Sequence, residues 1–169
     1  IIGTILVFSI GVVVFLGLSF YAYSNLKYYS VYYAQQMPHK EGTEPDLVML
    51  IENMGSIYTP KIEGIRYDDD GRNFIENSTN LTGKPTNFDE FVGGYGYSDQ
   101  NDVTYKFNKN FSLEWAIDKH YKKIDIATID EKKIKEEIRE TVQPVLDVQP
   151  KPLINLQWLF NKKYQDRFN

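Results

Sequence analysis

Cysteine is absent from the 169 residues, which excludes disulfides and thiolate metal sites. Histidine is nearly absent. His39 and His120 lie far apart in sequence, and neither sits in a catalytic or metal-binding motif. No His-Glu-x-x-His occurs, and Gly93-Gly94-Tyr95-Gly96-Tyr97 lacks the Gly-x-Gly-x-x-Gly spacing of a phosphate cradle. Asp68, Asp70 and Gly71 overlay part of a calcium loop, but Arg66 and Asn77 stand at its two ends, where carboxylates are expected. These gaps lead to the expectation of a non-enzyme with no cofactor and no metal. Basic charge is not in excess either. Nineteen Lys and Arg face 23 Asp and Glu, a net charge of −4, which argues against a nucleic-acid partner. The deepest gap is local: no charged side chain occurs before Lys27.

What fills that gap is IIGTILVFSIGVVVFLGLSFYAY, Ile1 to Tyr23. The run exceeds the roughly 20 apolar residues that cross a hydrocarbon core as a helix. It carries no polar stripe, so a helix made from it is surrounded on every side by lipid or by copies of itself. A secretory signal has a basic start, a shorter apolar run and a small-residue cleavage site, and none of these is here. The opening Ile leads to the expectation that an upstream segment has been removed. The following SNLKYYSVYYAQQ has no breaker, and the helix is expected to end at Met37 because Pro38 disfavours helical geometry there. A helix of residues 1–36 is roughly 54 Å long, more than a bilayer thickness. Tyr21, Tyr28 and Tyr32 share one face with Tyr29 and Tyr33 beside it. They form either an interfacial aromatic belt or a seam against a neighbouring subunit.

The remainder reads as a linker over 37–45 and a soluble domain over 46–169. Gly55, Pro60 and Gly64 favour strand–turn–strand for Asp46 to Arg66 over one helix. Residues 71–101 are rich in Gly, Asn, Asp, Thr and Ser and read as surface loops. Three sequons lie at Asn77, Asn80 and Asn110, candidate glycan acceptors if the domain lies outside a glycosylating cell. Val103 to Ile117 alternates on both sides of Asn108-Lys109-Asn110 and predicts a β-hairpin. Lys122 to Ile129 predicts another strand. Asp130 to Val142 predicts a helix with Asp130 as N-cap, a buried stripe of Ile134, Ile138 and Val142, and solvated charge elsewhere, stopped by Pro144. Residues 145–152 read as extended, and Trp158, Leu159 and Phe160 are expected to dock on the head. The fold class is therefore α+β: a long N-terminal hydrophobic helix carrying a β-rich globular head, with one short amphipathic helix near the C-terminus.

Ile1-Ile2-Gly3-Thr4-Ile5-Leu6-Val7 resembles the mature N-terminus of archaeal type IV pilin-like proteins and archaellins. Leu50-Ile51-Glu52-Asn53-Met54-Gly55-Ser56, then Ile62, Ile65 and Asp70-Gly71, is similar to an early strand pair of their heads. The resemblance covers about 70 residues. The head departs from it in being rich in Lys, Asp, Glu, Asn and Tyr. It implies a subunit of an extracellular filament, a helical homopolymer assembled from the membrane through the hydrophobic helix. Ile1, Ile5, Phe8, Val12, Phe15 and the tyrosines at 21, 28, 29, 32 and 33 would then form the subunit interface. The alternative is a single-pass, non-catalytic accessory subunit of a larger membrane complex, with other membrane subunits as partners and the head on one side.

Overall fold

The computed structural model describes residues 2–67, 73–76, 79–82 and 94–169, with side chains at 7–67, 79–81 and 94–169. The first element, α1 (Ile2–Tyr28), leaves the rest of the molecule as a rod. Tyr29 interrupts its geometry, and α2 (Ser30–Gln36) follows at once. Bonds from Tyr29 N to Asn25 O and from Tyr33 N to Tyr29 O bridge the joint, both 3.0 Å, so the two helices form one kinked helix. It ends as expected, with Met37 extended before Pro38. The surroundings change along its length, from Asn25 onward. Residues 7–23 are exposed or nearly so, whereas Asn25 and Leu26 at the end of α1 and Ser30, Val31, Tyr33 and Ala34 of α2 are buried in the head. Residues placed by sequence with the spanning rod thus belong to the head's core. His39 to Pro45 is tied down as well, through Lys40 N donating to Phe168 O and an ion pair of Glu44 with Arg139.

The strand expected at Leu47 to Ile51 is instead a helix, α3 (Pro45–Glu52). Pro45 occupies the first turn, where its missing N–H costs nothing, and Asp46 adds a carboxylate at the positive helix end. Every residue from Pro45 to Ile51 is buried, so no polar face betrays the helical period. The head's sheet comprises β1 (Ile65–Tyr67), β2 (Asn73–Glu76), β3 (Thr79–Thr82), β4 (Tyr95–Ser98), β5 (Thr104–Phe107), β6 (Leu113–Ile117) and β7 (Lys123–Ile124). All neighbours are antiparallel and in chain order. The hairpin expected over Val103 to Ile117 is present as β5–β6, with a register shift between Lys106 and Phe107. The strand expected over Lys122 to Ile129 shrinks to β7, followed by a 3₁₀ turn at Ile126–Thr128.

One turn recurs three times in this meander. Asp99, Asn108 and Asp118 each close a hairpin by accepting, on one side-chain oxygen, the backbone N–H groups two and four residues on. Asp102, Phe111 and Tyr121 take the left-handed conformation that each turn requires. Backbone N–H groups, that of Lys122 foremost, hold the Asp118 carboxyl below its ordinary value. Gly94, before β4, has no room for a side chain, since a Cβ there would lie 2.1 Å from Phe107 O.

The predicted helix appears as α4 (Glu131–Asp147), with Asp130 accepting from Lys133 N and Ile134, Ile138 and Val142 buried. It runs through Pro144 rather than stopping there. Val145 and Leu146 are fully buried just beyond, and burying two such side chains at about 1.5–3 kcal/mol each offsets a cost of about 3 kcal/mol for an internal proline. Its charged faces are not all solvated. Arg139 forks onto Asp46, 2.9 Å from each carboxylate oxygen, and also pairs with Glu44, which clamps α4 to the start of α3. A further helix that the sequence did not predict, α5 (Gln157–Phe168), closes the head by burying Phe160 and Phe168. Arg167 fixes its end by donating to Glu52 (2.9 and 3.0 Å) and to Tyr95 (2.8 Å). The architecture is α+β as expected: one long apolar helix, a sheet-containing head and a C-terminal helix.

Candidate membrane-facing site at the base of the head

Val7 to Tyr28 is long and apolar enough to cross a membrane, and the head covers it only near its end, at Asn25 and Leu26. Phe8, Val12 and Phe15 are all exposed, Phe15 by 68%. Ile1 and the side chain of Ile5 lie outside the described residues. The described apolar helix runs from Ile2 to Tyr23 before contact with the head begins, 22 residues or roughly 33 Å. This matches a hydrocarbon core of about 30 Å. Tyr21, Tyr23 and Tyr28 remain exposed at its head-proximal end, and the Lys27 ammonium lies 5.0 Å from the Tyr23 ring centroid. A second cation, Lys163 of α5, lies 6.0 Å from the same ring.

The tyrosines singled out from sequence divide into two groups. Tyr21 and Tyr28 are at the surface. Tyr29 and Tyr32 pack partly against the head's core, and Tyr33 is wholly enclosed. The enclosure removes Tyr33 from any seam with another subunit. Its hydroxyl donates to Asn25 Oδ1 at 2.7 Å and accepts from Leu156 N at 3.0 Å, while its ring packs 5.4 Å from Phe160. Burial pushes its phenol above the ordinary value. Asn25 Nδ2 donates to Ile154 O at 3.3 Å, and Gln157 Nε2 donates to Tyr33 O at 2.8 Å. One polar knot therefore ties the end of α1, the whole of α2 and the segment before α5. Asn25, Ile154 and Gln157 escaped notice in the sequence. Asn25, an amide two residues before the first charge, was the one visible signal.

The same knot sets out an apolar ledge. Leu153 is 100% exposed, Ile154 55% and Trp158 66%, whereas Phe160 is enclosed. Of the three residues expected to dock, Phe160 does so fully, Leu159 in part, and Trp158 faces out, because the α5 period turns it away from the Phe160–Phe168 face. Of the sequons, Asn77 lies outside the described residues. Asn80 in β3 and Asn110 in the β5–β6 turn are half-buried, each with its side-chain oxygen enclosed and without a partner among the described residues. His39 sits against Met37 O at 2.9 Å and His120 in the exposed β6–β7 turn. Asp68 and Asp70 lie outside the described residues.

The head also has an open groove of about 610 Å³ between the sheet and α4, lined by Tyr97, Tyr105, Asp99, Lys133, Glu137 and Glu140. Tyr97 and Tyr105 stack at 6.1 Å across the β4–β5 pair. Burial first, then the carboxylates of Glu137 and Asp99, pushes the Tyr97 phenol up to about 12. Burial and Asp99 do the same for Tyr105, also to about 12. Asp99 itself is occupied by its turn N–H groups and by the Tyr105 hydroxyl at 3.3 Å, so it shapes the groove wall and is not free for a ligand. Compared with protein families, curated proteins and solved structures, the chain matches none.

Proposed function

We propose that the protein is a single-pass membrane subunit with a structural role, in which α1 spans the bilayer and holds the head against the membrane surface. One observation carries the reading. An apolar helix of one bilayer's length has its described side chains exposed from Val7 to Tyr21, and the helix that directly continues it packs into the head with Ser30, Val31, Tyr33 and Ala34 buried. Bare apolar area of that extent in water is unfavourable by about 25 cal/mol per Å², so the environment of α1 is something other than water. The tyrosines and Lys27 at its head-proximal end match the side chains that favour the headgroup layer. The experiment is expression of the full chain, followed by an alkaline carbonate wash of the membranes and protease treatment of sealed vesicles. Retention in the membrane with the head on one side supports the reading. Release into the supernatant overturns it.

A second reading, the extracellular pilus-like filament subunit, is favoured by the uniformity of α1. A helix apolar all round also suits a bundle of its own copies, with Phe8, Val12 and Phe15 packed in a dry core. Of the 54 Å rod that would have favoured it, burial in the head from Asn25 onward leaves only the bilayer-length portion free. Negative-stain electron microscopy separates the two: helical fibres of one subunit support the filament, and a compact particle with unlike partners supports the accessory subunit.

A further inference from the structure

We propose that the ledge formed by Leu153, Ile154 and Trp158 is a second membrane-contact site, a wedge that enters the headgroup layer of an anionic bilayer beside α1. The inference rests on the reading that α1 spans a bilayer, and it names what the base of the head touches.

Three observations converge. First, the side chains are the wrong kind for water. A fully exposed leucine, a half-exposed isoleucine and an outward tryptophan fall within six residues of a segment otherwise stiffened by Pro150 and Pro152. Second, their position is fixed relative to α1. Ile154 O accepts from Asn25 Nδ2 at 3.3 Å and from the Tyr33 hydroxyl at 3.4 Å, so the ledge sits level with Asn25. Asn25 is two residues above Tyr23, a rise of about 3 Å along the helix. The ledge is thus at the height where the exposed tyrosines end the apolar rod. Third, the surrounding charge is basic. Lys27 and Lys163 flank Tyr23, and Lys162 lies one helical turn from Trp158 on the same face of α5. Tryptophan with an adjacent lysine is the combination that settles at a lipid headgroup layer, the ring among the upper acyl carbons and the ammonium among the phosphates. Continuity with α1 selects lipid over a protein partner, because the bilayer already reaches this height on the neighbouring helix.

The test uses the full chain reconstituted into vesicles of phosphatidylcholine and phosphatidylglycerol. The probes are phosphatidylcholines brominated near either the headgroup end or the methyl end of their chains. The chain has two tryptophans, Trp115 and Trp158, so the Trp158→Phe variant supplies the Trp115 background. The expected result is loss of most Trp158 emission with the shallow bromolipid, little loss with the deep one, and a weaker effect when phosphatidylglycerol is omitted. Leu153→Asp, at a fully exposed side chain, is expected to reduce that quenching without altering the head's circular dichroism. If the chain resists carbonate extraction while Trp158 is unquenched by lipid and open to aqueous iodide, the wedge is overturned and the spanning helix stands. If carbonate releases the chain, the spanning helix fails and the wedge with it.

Discussion

Two helices separated by one residue live in different surroundings. The first, α1, is the most apolar stretch of the chain, and its described side chains are exposed or half-exposed until Asn25 and Leu26 enter the head. The second, α2, reads SVYYAQQ, with two glutamines and a serine, and is packed on α3 and α5 with Val31 and Tyr33 fully buried. Hydropathy alone would have put the greasier helix inside. The difference teaches that burial inside this protein follows shape and hydrogen-bond partners, not greasiness. Tyr33 is enclosed because Asn25, Leu156 and Ile154 satisfy its hydroxyl. Of the described α1 side chains, the head encloses Asn25 and Leu26 and leaves those from Val7 to Tyr21 outside.

If the two regions are independent, each can be damaged without the other. Phe107→Ala empties a fully buried ring position stacked 4.7 Å from Phe111 and is expected to cost the head about 3–5 kcal/mol. Chemical denaturation in detergent reads this, and carbonate resistance should not change. Val13→Asp puts a charge near the middle of α1, where insertion loses about 2.5–3.5 kcal/mol. The chain should move into the carbonate supernatant while the head keeps its near-ultraviolet circular dichroism. The double variant should show both losses, additive within about 0.3–0.5 kcal/mol. A larger coupling would mean that the head touches more of α1 than its last turn around Asn25 and Leu26.

Tyr33→Phe sharpens the boundary instead. It leaves Asn25 and the Leu156 N–H short of a partner, a penalty of about 1–3 kcal/mol. Hydrogen exchange should rise in 30–37 and 154–160 together, and stay unchanged across β4–β6. The smallest effect is confined to alkali. Tyr97 and Tyr105 have phenols raised to about 12 in the folded head, against about 10 in an unfolded chain. Their protonated form is favoured by folding, so their contribution is complete below about pH 10 and is lost as pH rises toward about 12. Absorbance of tyrosinate, followed with circular dichroism, should show these phenols ionising only as the head opens, with α1 still helical in lipid.

Much of the head was legible where one signal dominated. Alternation over Val103 to Ile117 gave the β5–β6 hairpin, and the Asp130 cap with its four-residue stripe gave α4. Legibility failed where burial was uniform or where two rules competed. All of Pro45 to Ile51 is enclosed, so the period of α3 left no trace, although Pro45-Asp46 was a usable start signal. Pro144 was read as a stop because its local cost is visible in sequence, while the burial of Val145 and Leu146 that outweighs it is not. The tyrosine face was visible. That Tyr33 would be covered by α5, 124 residues away, was not. Trp158 was misplaced because an apolar cluster does not announce which of its members faces out.

That last separation sets an order of events during synthesis. The covering of Tyr33 by Gln157 waits for 124 residues to be made after it. At about 5–20 residues per second, the delay is roughly 6–25 s. The apolar helix α1 precedes all of this in the chain. For that interval the surface of α2 that α5 will cover lies open. The head is therefore a domain whose first buried helix stays uncovered until its last helix is made, and that closing helix is the one that carries the outward Trp158.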